Sequence, residues 1–556
     1  MDAADRLSAL SDELLQHVLS FAPAKEAAAS AALSRRWRPL WRRASALNLD
    51  SRPYSRKRSL ADRFDDFFRH AKAALAGRLV LGTPPKRLTL ILVEGAYLVG
   101  GRWHYYMNED AELEYDARVA ALLADPAAAA LEELRIASDP YTIMYVPPLA
   151  SLPCAAITLR VLELHRCDLQ PSARLAFPCL ADLSLCSCTY LQGYLQDMVD
   201  AAPALTRLAL VDVTNKPPKQ AGSIKKDRYI KSKSFNLPLR LRSPTITTLV
   251  LETNDSRGDE LDESRNIGIQ LDMPSLRSFH YKGFPVKLSL TSPAPGLARV
   301  DLDTNRRERG YYKREPAALM LASFSTTRAL KLHLSAIEEI ICDPNDESGY
   351  QNNPGEATNL PIFPNLKLLE IHGLFKYRNN NTALALTTLL RACPALSELR
   401  LWLNMASDYH YDRKTKEREV GGPFAQSLER FKMLASMCPE HRDDMELGTV
   451  SDLPDPFTNS SAFGCLRTSL RKVTLQFRSK ELNCFQVQLA KFLVENAMVL
   501  EEMHVEDGDQ FWPDHLWDKL TRWRADALQR KNLPDTAAGF RVYQLANPVE
   551  DPRIHY

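Results

Sequence analysis

The sequence predicts an α/β protein: three short N-terminal helices, then an irregular solenoid of parallel strands bent as a horseshoe. Three observations predict it. The first fifty residues hold apolar side chains at helical spacing, broken by caps and prolines. A six-residue pattern (apolar, two residues, apolar, one residue, apolar) then recurs twelve times. Finally, 556 residues are too many for one ordinary core, so several domains or a repeat array is required.

The first helix is expected within DRLSALSDELLQHVLSFAP. Ser11 is placed to cap it, and Asp12 and Glu13 put negative charge in its first turn. Leu10, Leu14, Leu15, Val18 and Leu19 recur at helical spacing as one apolar stripe, and Pro23 ends the run. Lys25 to Ala32 forms a second, alanine-rich helix. Ser34 can cap a third that carries Trp37, Leu40 and Trp41, with Pro39 expected to kink or shorten it. So small a unit cannot bury all these side chains by itself, and the apolar surplus implies a partner or an adjoining domain. The tryptophans share their spacing with Leu33 and Leu40, whereas Arg35, Arg36 and Arg38 lie on other faces. That arrangement favours protein docking over nucleic-acid binding, which wants aromatics backed by a larger basic field.

Residues 5–50 resemble an F-box, the adaptor-binding module of Skp–cullin–F-box ubiquitin ligases. The family's opening motif stands as ALSDELLQHVLSFAP and its closing motif as LSRRWRPLW, followed by the strand-like LNLD. Ser11 replaces the usual proline and Ala22 a leucine. The resemblance implies that Leu10, Leu14, Leu15, Leu19, Leu33, Trp37, Leu40 and Trp41 divide between the module's core and an interface with a Skp-family adaptor, and through it a cullin. The sequence does not say which residues do which.

The repeats begin at Leu131, Leu159, Leu180, Leu205, Ile246, Leu276, Leu297, Thr327, Leu366, Leu396, Leu470 and Leu500. This is the leucine-rich-repeat signature, in which each unit buries its apolar face only by stacking on neighbours. Three residues after the last apolar position, the signature places Asn or Cys to bond the turning backbone. Cys167, Cys188, Asn254, Asn305 and Asn404 occupy that slot. The residue between the last two apolar positions is expected on the concave face. Those residues are Arg135, Glu163, Ser184, Ala209, Val250, His280, Asp301, Lys331, Glu370, Arg400, Thr474 and His504, a mixture that suits protein binding better than a reaction centre.

The expected domains are an F-box (5–50), a transition with the first irregular repeats (51–130), leucine-rich repeats (131–405), an insertion (406–469), and terminal repeats with an FBD-like end (470–545). That end resembles the FBD segment of plant F-box/leucine-rich-repeat proteins through FLVENAMVLEE, and Glu481 to Ala497 reads as an amphipathic helix. Residues 214–236, 343–361, 405–422 and 443–462 read as polar or irregular loops, and Phe424 to Cys438 as an extra helix.

The formal charge of +2 gives no strong global field toward nucleic acid or membrane. No apolar run is long enough for a bilayer span, and no secretory leader is read at the start. The ten scattered cysteines, without a CxxC pair, suit reduced thiols in cytoplasm or nucleus. No phosphate-cradling loop, GxSxG elbow or HExxH motif is present, so no catalytic residue, cofactor or metal is assigned. The resemblance therefore implies a non-catalytic substrate receptor of a ubiquitin ligase, with an unknown target protein on the repeats. The alternatives are a scaffold that binds a protein without delivering it for ubiquitination, and, less directly, a receptor whose repeats hold a small molecule.

Overall fold

The computed structural model describes residues 9–54, 60–92, 96–99, 102–105, 109–138, 146–147, 149, 152, 154, 157–170, 175–191, 193–216, 239–253, 268–283, 286–304, 320–335, 337–340, 360–375, 380–405, 463–477, 484–507, 513–531 and 539–544. The chain divides into two units, Met1–Arg277 with Leu290–Gly296, and Ser278–Ser289 with Leu297–Tyr556.

The first unit opens with α1 (Asp12–Leu19), α2 (Ala24–Ala29), a 3₁₀ turn at Ser30–Ala32 and α3 (Trp37–Arg43). Ser11 caps α1: its hydroxyl accepts from the Leu14 amide at 3.4 Å. The helix stops at Leu19, so Pro23 does not terminate it but stands at the N-cap of α2. Ser34 is not the cap of α3 either, because that helix begins only at Trp37 with Arg36 at the cap position. Pro39 is thus in the first turn, where a backbone N–H has no partner to lose, and the shortening occurs ahead of it. Leu15, Leu19, Ala27, Trp37, Leu40 and Ala44 form the buried core of this bundle, with Leu10, Ala22 and Trp41 packed around it.

Behind the bundle stands α4 (Leu60–Val80), whose buried Arg78 donates to the carbonyls of Trp41, Ala44 and Ala46. Those groups lie at and just beyond the end of α3, where helical carbonyls lack intrahelical donors. Asn48 makes a matching bond set from the following strand, donating to Ser20 and Ala22 at 2.8 and 3.0 Å. The helical bundle is therefore joined to the repeats by buried polar contacts as well as by chain continuity.

Seven described strands of the first unit pair in parallel, each with the next: Ala46–Asp50, Arg87–Leu92, Glu133–Ser138, Val161–His165, Asp182–Cys186, Arg207–Val211 and Thr248–Glu252. Their register stacks Leu47, Leu88, Leu134, Leu162, Leu183, Leu208 and Leu249 in a single buried row. Side chains alternate across a strand, so the next positions face the opposite side. The buried row is the apolar spine, and each fully buried leucine contributes about 2 kcal/mol of transfer free energy. Parallel neighbours require a crossover, which explains the spacing of tens of residues between strands.

After three of these strands the chain turns at Arg166, Ser187 and Asp212, whose φ values of 55°, 52° and 52° lie in the left-handed region. Cys167, Cys188 and Val213 then point inward and are fully buried. The Cys188 thiol donates to the Leu164 carbonyl one repeat back at 3.3 Å, the turn-bonding role expected of this slot. Asn254 and Asn305 lie outside the described residues, as does the side chain of Asn404.

The second unit repeats the arrangement with eight described strands, Ser278–Lys282, Arg299–Asp303, Ala329–His333, Leu368–Phe375, Glu398–Met405, Lys472–Phe477, Glu502–Asp507 and Arg541–Gln544. The predicted C-terminal helix is present at Cys484–Asn496, with Leu489, Phe492 and Leu493 buried, while Leu482 lies outside the described residues. Arg524, on the helix Pro513–Arg530, donates to the Val494 and Met498 carbonyls at 3.0 and 2.7 Å, repeating the device of Arg78. The expected helix at Phe424–Cys438 and most of the expected loop stretches fall outside the described residues.

All twelve sequence repeats become strands. Among the described strands of the two main ladders, three have no counterpart in the pattern. The first two carry Ala44 and Pro85 where the signature wants a large leading apolar residue, and the last, Arg541–Gln544, keeps only Val542.

Candidate functional site

The sequence stripe on α1 divides in two. Leu15 and Leu19 turn inward at 0% and 6% exposure, whereas Leu14 and Val18 are about half exposed, at 52% and 51%. The division follows from helix geometry and from the position of α3. Successive residues are about 100° apart, so Leu14 and Leu15 cannot both face the core that Trp37 and Leu40 complete. An ion pair of Arg36 with Asp12 at 2.7 Å, together with an Arg36 bond to the Leu10 carbonyl, ties the start of α3 to the start of α1.

Phe21 extends the outward side of α1, 66% exposed and in edge contact with His17 at 5.1 Å. Leu33, on the turn before α3, is 68% exposed. Of the eight residues singled out in the sequence, Leu15, Leu19, Trp37 and Leu40 are buried, Leu10 and Trp41 are partly buried on the core, and Leu14 and Leu33 are exposed. Val18 and Phe21 join the exposed apolar group. Phe21 was missed because it follows the helix and breaks the spacing that marked the stripe. Capping is also visible in the charge state: the Glu13 carboxyl, bonded by its own backbone N–H and by Ser11, is held below its ordinary range.

The polar side of each ladder is a second candidate surface. In the first unit Arg135 pairs with Glu163 at 3.1 Å, and the row continues through the small residues Ser184, Ala209 and Val250. In the second unit the row runs from His280 through Asp301, Lys331, Glu370 and Arg400 to Thr474. Asp301 meets His280 at 3.4 Å. Glu370 is a hub, with Lys331 Nζ and His372 Nε2 each 2.9 Å away and Arg400 Nη1 at 3.4 Å. Burial would raise its carboxyl, but bonds from His372 and Lys331 outweigh this and hold it at about 2. Two residues further along the strands, His333 stacks on His372 at 4.1 Å and His372 on Trp402 at 4.5 Å, with planes 13° and 3° apart.

Among the described residues no group of His, Cys, Asp and Glu is placed to hold a metal ion, and no helix is long and apolar enough to cross a membrane.

Comparison with known proteins matches both parts. Residues 7–46 match the F-box domain, and residues 119–261 match the leucine-rich repeats described as "FBD-associated F-box protein At5g56370, LRR repeats". An FBD-associated F-box protein of Arabidopsis thaliana (At3g12840) is 56% identical over 50 residues, covering 9% of this chain and 26% of that protein. An F-box/FBD/LRR-repeat protein of the same plant (At1g80470) is 42% identical over 64 residues, covering 12% of this chain and 14% of that protein. A third, the F-box/FBD/LRR-repeat protein At5g44950, is 23% identical over 305 residues, 54% of this chain and 58% of its own length. The chain thus spans less than two thirds of the length of each of these relatives. This chain carries an F-box domain followed by leucine-rich repeats of the FBD-associated F-box kind, and it resembles the plant F-box/FBD/LRR-repeat proteins.

Proposed function

We propose that this chain is the substrate-recognition subunit of a Skp–cullin–F-box ubiquitin ligase. Its F-box binds a Skp-family adaptor, which bridges to a cullin, and its repeats hold a target protein. One observation carries this reading: Leu14, Val18, Phe21 and Leu33 stay exposed on a bundle whose core is already complete without them. Large apolar side chains left out of a finished core favour a protein partner that covers them. Partly buried Leu10 and Trp41 would border that contact, and Leu15, Leu19, Trp37 and Leu40 would hold the module in shape. The chain supplies no chemistry in this scheme. Holding a target lysine beside a charged conjugating enzyme raises its effective concentration.

The test is co-elution of the purified chain with a Skp-family adaptor, beside a Leu14→Ala/Leu33→Ala variant. The expected result is a stable complex with the parent chain and its loss in the variant, with an unchanged melting curve. A parent chain that co-elutes with none of several adaptor paralogues would overturn the receptor reading in favour of a scaffold that does not deliver its partner.

A further inference from the structure

The outer side of α3 carries cations with no acid beside them. Arg35, Arg38, Arg42 and Arg43 are all exposed. Among the described residues none of these arginines has a carboxylate within ion-pair distance, and Asp12 is already taken by Arg36. Trp37, Leu40 and Ala44 turn toward the core shared with Leu15 and Leu19 of α1. Arg42 lies about 200° beyond Leu40 around the helix, so it is turned away from α1. Arg38, one turn earlier, shares that side. Like charges at this spacing repel, and a bound anion would relieve the repulsion.

The same surface continues onto the end of α4. Gly77 comes so close to Arg42 that a β-carbon there would sit 3.7 Å from the Arg42 Nε. The Thr83 hydroxyl donates to the Arg42 carbonyl at 3.3 Å. Val80, three residues after Gly77, lies on the same side of α4 and is 86% exposed. Leu79 and Leu81 beside it are 47% and 42% exposed. Three consecutive large aliphatic side chains left in water mark a contact surface. Nucleic acid would want open rings among the arginines, on which bases could stack. Here Trp37 is buried, and Trp41 packs on the core with the Arg42 guanidinium 5.3 Å from its ring centre.

We propose that the surface running from Arg35 and Arg38 through Arg42 and Arg43 to Val80 and Leu81 docks an acidic segment of a partner protein that carries aliphatic side chains among its carboxylates. Charge complementarity fixes the class of partner, because these guanidinium groups have donors to spend and no carboxylate to spend them on. Arginine meets a carboxylate through two parallel N–H bonds, which sets orientation as well as attraction. Val80 and Leu81 take the aliphatic side chains and exclude water from that end. The site goes beyond the receptor reading: it uses none of the residues assigned to the adaptor, and it requires neither adaptor nor target.

The experiment measures fluorescence anisotropy of a labelled peptide of repeated Glu-Glu-Leu units titrated with the full chain. Octaglutamate and a peptide of repeated Lys-Lys-Leu units serve as comparisons. The Glu-Glu-Leu peptide is expected to bind, more weakly as salt is raised, and the Lys-Lys-Leu peptide is not. Arg38→Gln/Arg42→Gln should weaken binding about tenfold or more, and Val80→Ser should remove the advantage over octaglutamate. Arg207→Gln, at an ion pair with Asp182 elsewhere in the unit, should leave binding within about twofold. If the double variant melts early, Arg38→Glu alone decides, with an expected loss of about fivefold. Absence of Glu-Glu-Leu binding, or equal binding by folded arginine variants, overturns the proposal. Tighter binding of an oligothymidylate or of phosphatidylserine vesicles, lost in the same variants, overturns it in favour of nucleic acid or a lipid surface. Co-elution with a Skp-family adaptor is expected to survive Arg38→Gln/Arg42→Gln. Its loss in that variant, still folded, would overturn a separate site by assigning the arginines to the adaptor contact.

Discussion

Arg78 Nη2 donates to the Trp41 carbonyl at 2.9 Å, across 37 residues of sequence. The same guanidinium, 2% exposed, holds the Ala44 and Ala46 carbonyls. One buried cation thus closes the end of the last F-box helix and fastens it to α4. Burial lowers its pKa to about 10, still far enough above neutrality to keep it charged. Arg78→Met, which keeps the length but offers no donor, should cost about 3 kcal/mol by leaving buried carbonyls unpaired. Chemical denaturation would measure this, and limited proteolysis should newly cut between the F-box and α4. An unchanged midpoint would refute the clamp.

Leu14 and Leu15 should separate stability from binding. Leu15→Ala opens a fully buried site and should cost about 2–5 kcal/mol. Leu14→Ala, at a half-exposed position, should change stability by less than about 1 kcal/mol yet abolish adaptor co-elution. Thermal melts and co-elution of both variants check the pair.

Glu370 should make the second unit acid-sensitive in a defined window. Its folded-state pKa of about 2 lies below its ordinary 4.5. A depressed carboxyl pKa stabilises the fold above the ordinary value, and that contribution disappears as pH falls from about 4.5 to about 2. Glu370→Gln should lower stability by about 1–3 kcal/mol at pH 7 and flatten the acid limb across that window. Parallel curves for parent and variant between pH 5 and pH 2 would contradict the assignment.

Thiol accessibility should follow the repeats. Cys167 and Cys188 are fully buried, whereas Cys179 is exposed. The bond with the adjoining Cys188, and then burial, raise the Cys167 thiol well above its ordinary value, so little reactive thiolate forms there. Mild alkylation of the native chain, read by mass spectrometry, should label Cys179 ahead of Cys167 and Cys188, which should react only on unfolding.

The left-handed turn at Ser187 should tolerate glycine and reject branched side chains. With φ at 52°, Ser187→Gly should be neutral or stabilise by up to about 1 kcal/mol, and Ser187→Val should destabilise by about 1–2 kcal/mol. Denaturation midpoints of the two variants should fall on opposite sides of the parent or leave only valine displaced.

The sequence by itself determined where most strands lie and that α1 is capped at Ser11. A buried strand and a capped helix start leave local marks, namely apolar alternation and a hydroxyl beside acids. The Cys188 slot was legible for the same reason, since its spacing from the strand is set within one repeat. Strands led by Ala44 and Pro85 went unseen because their neighbours, not their own leading side chains, complete the packing. Only the tertiary structure decided that Leu14 faces out while Leu15 faces in, because that depends on where α3 docks. It alone brought His333, His372 and Trp402 into one stack. These residues are 39 and 30 positions apart in the chain, and a sequence states no lateral register. In a parallel ladder that register is set by the length of each crossover and by stacking of the buried leucines, which are properties of neighbouring repeats rather than of any one of them.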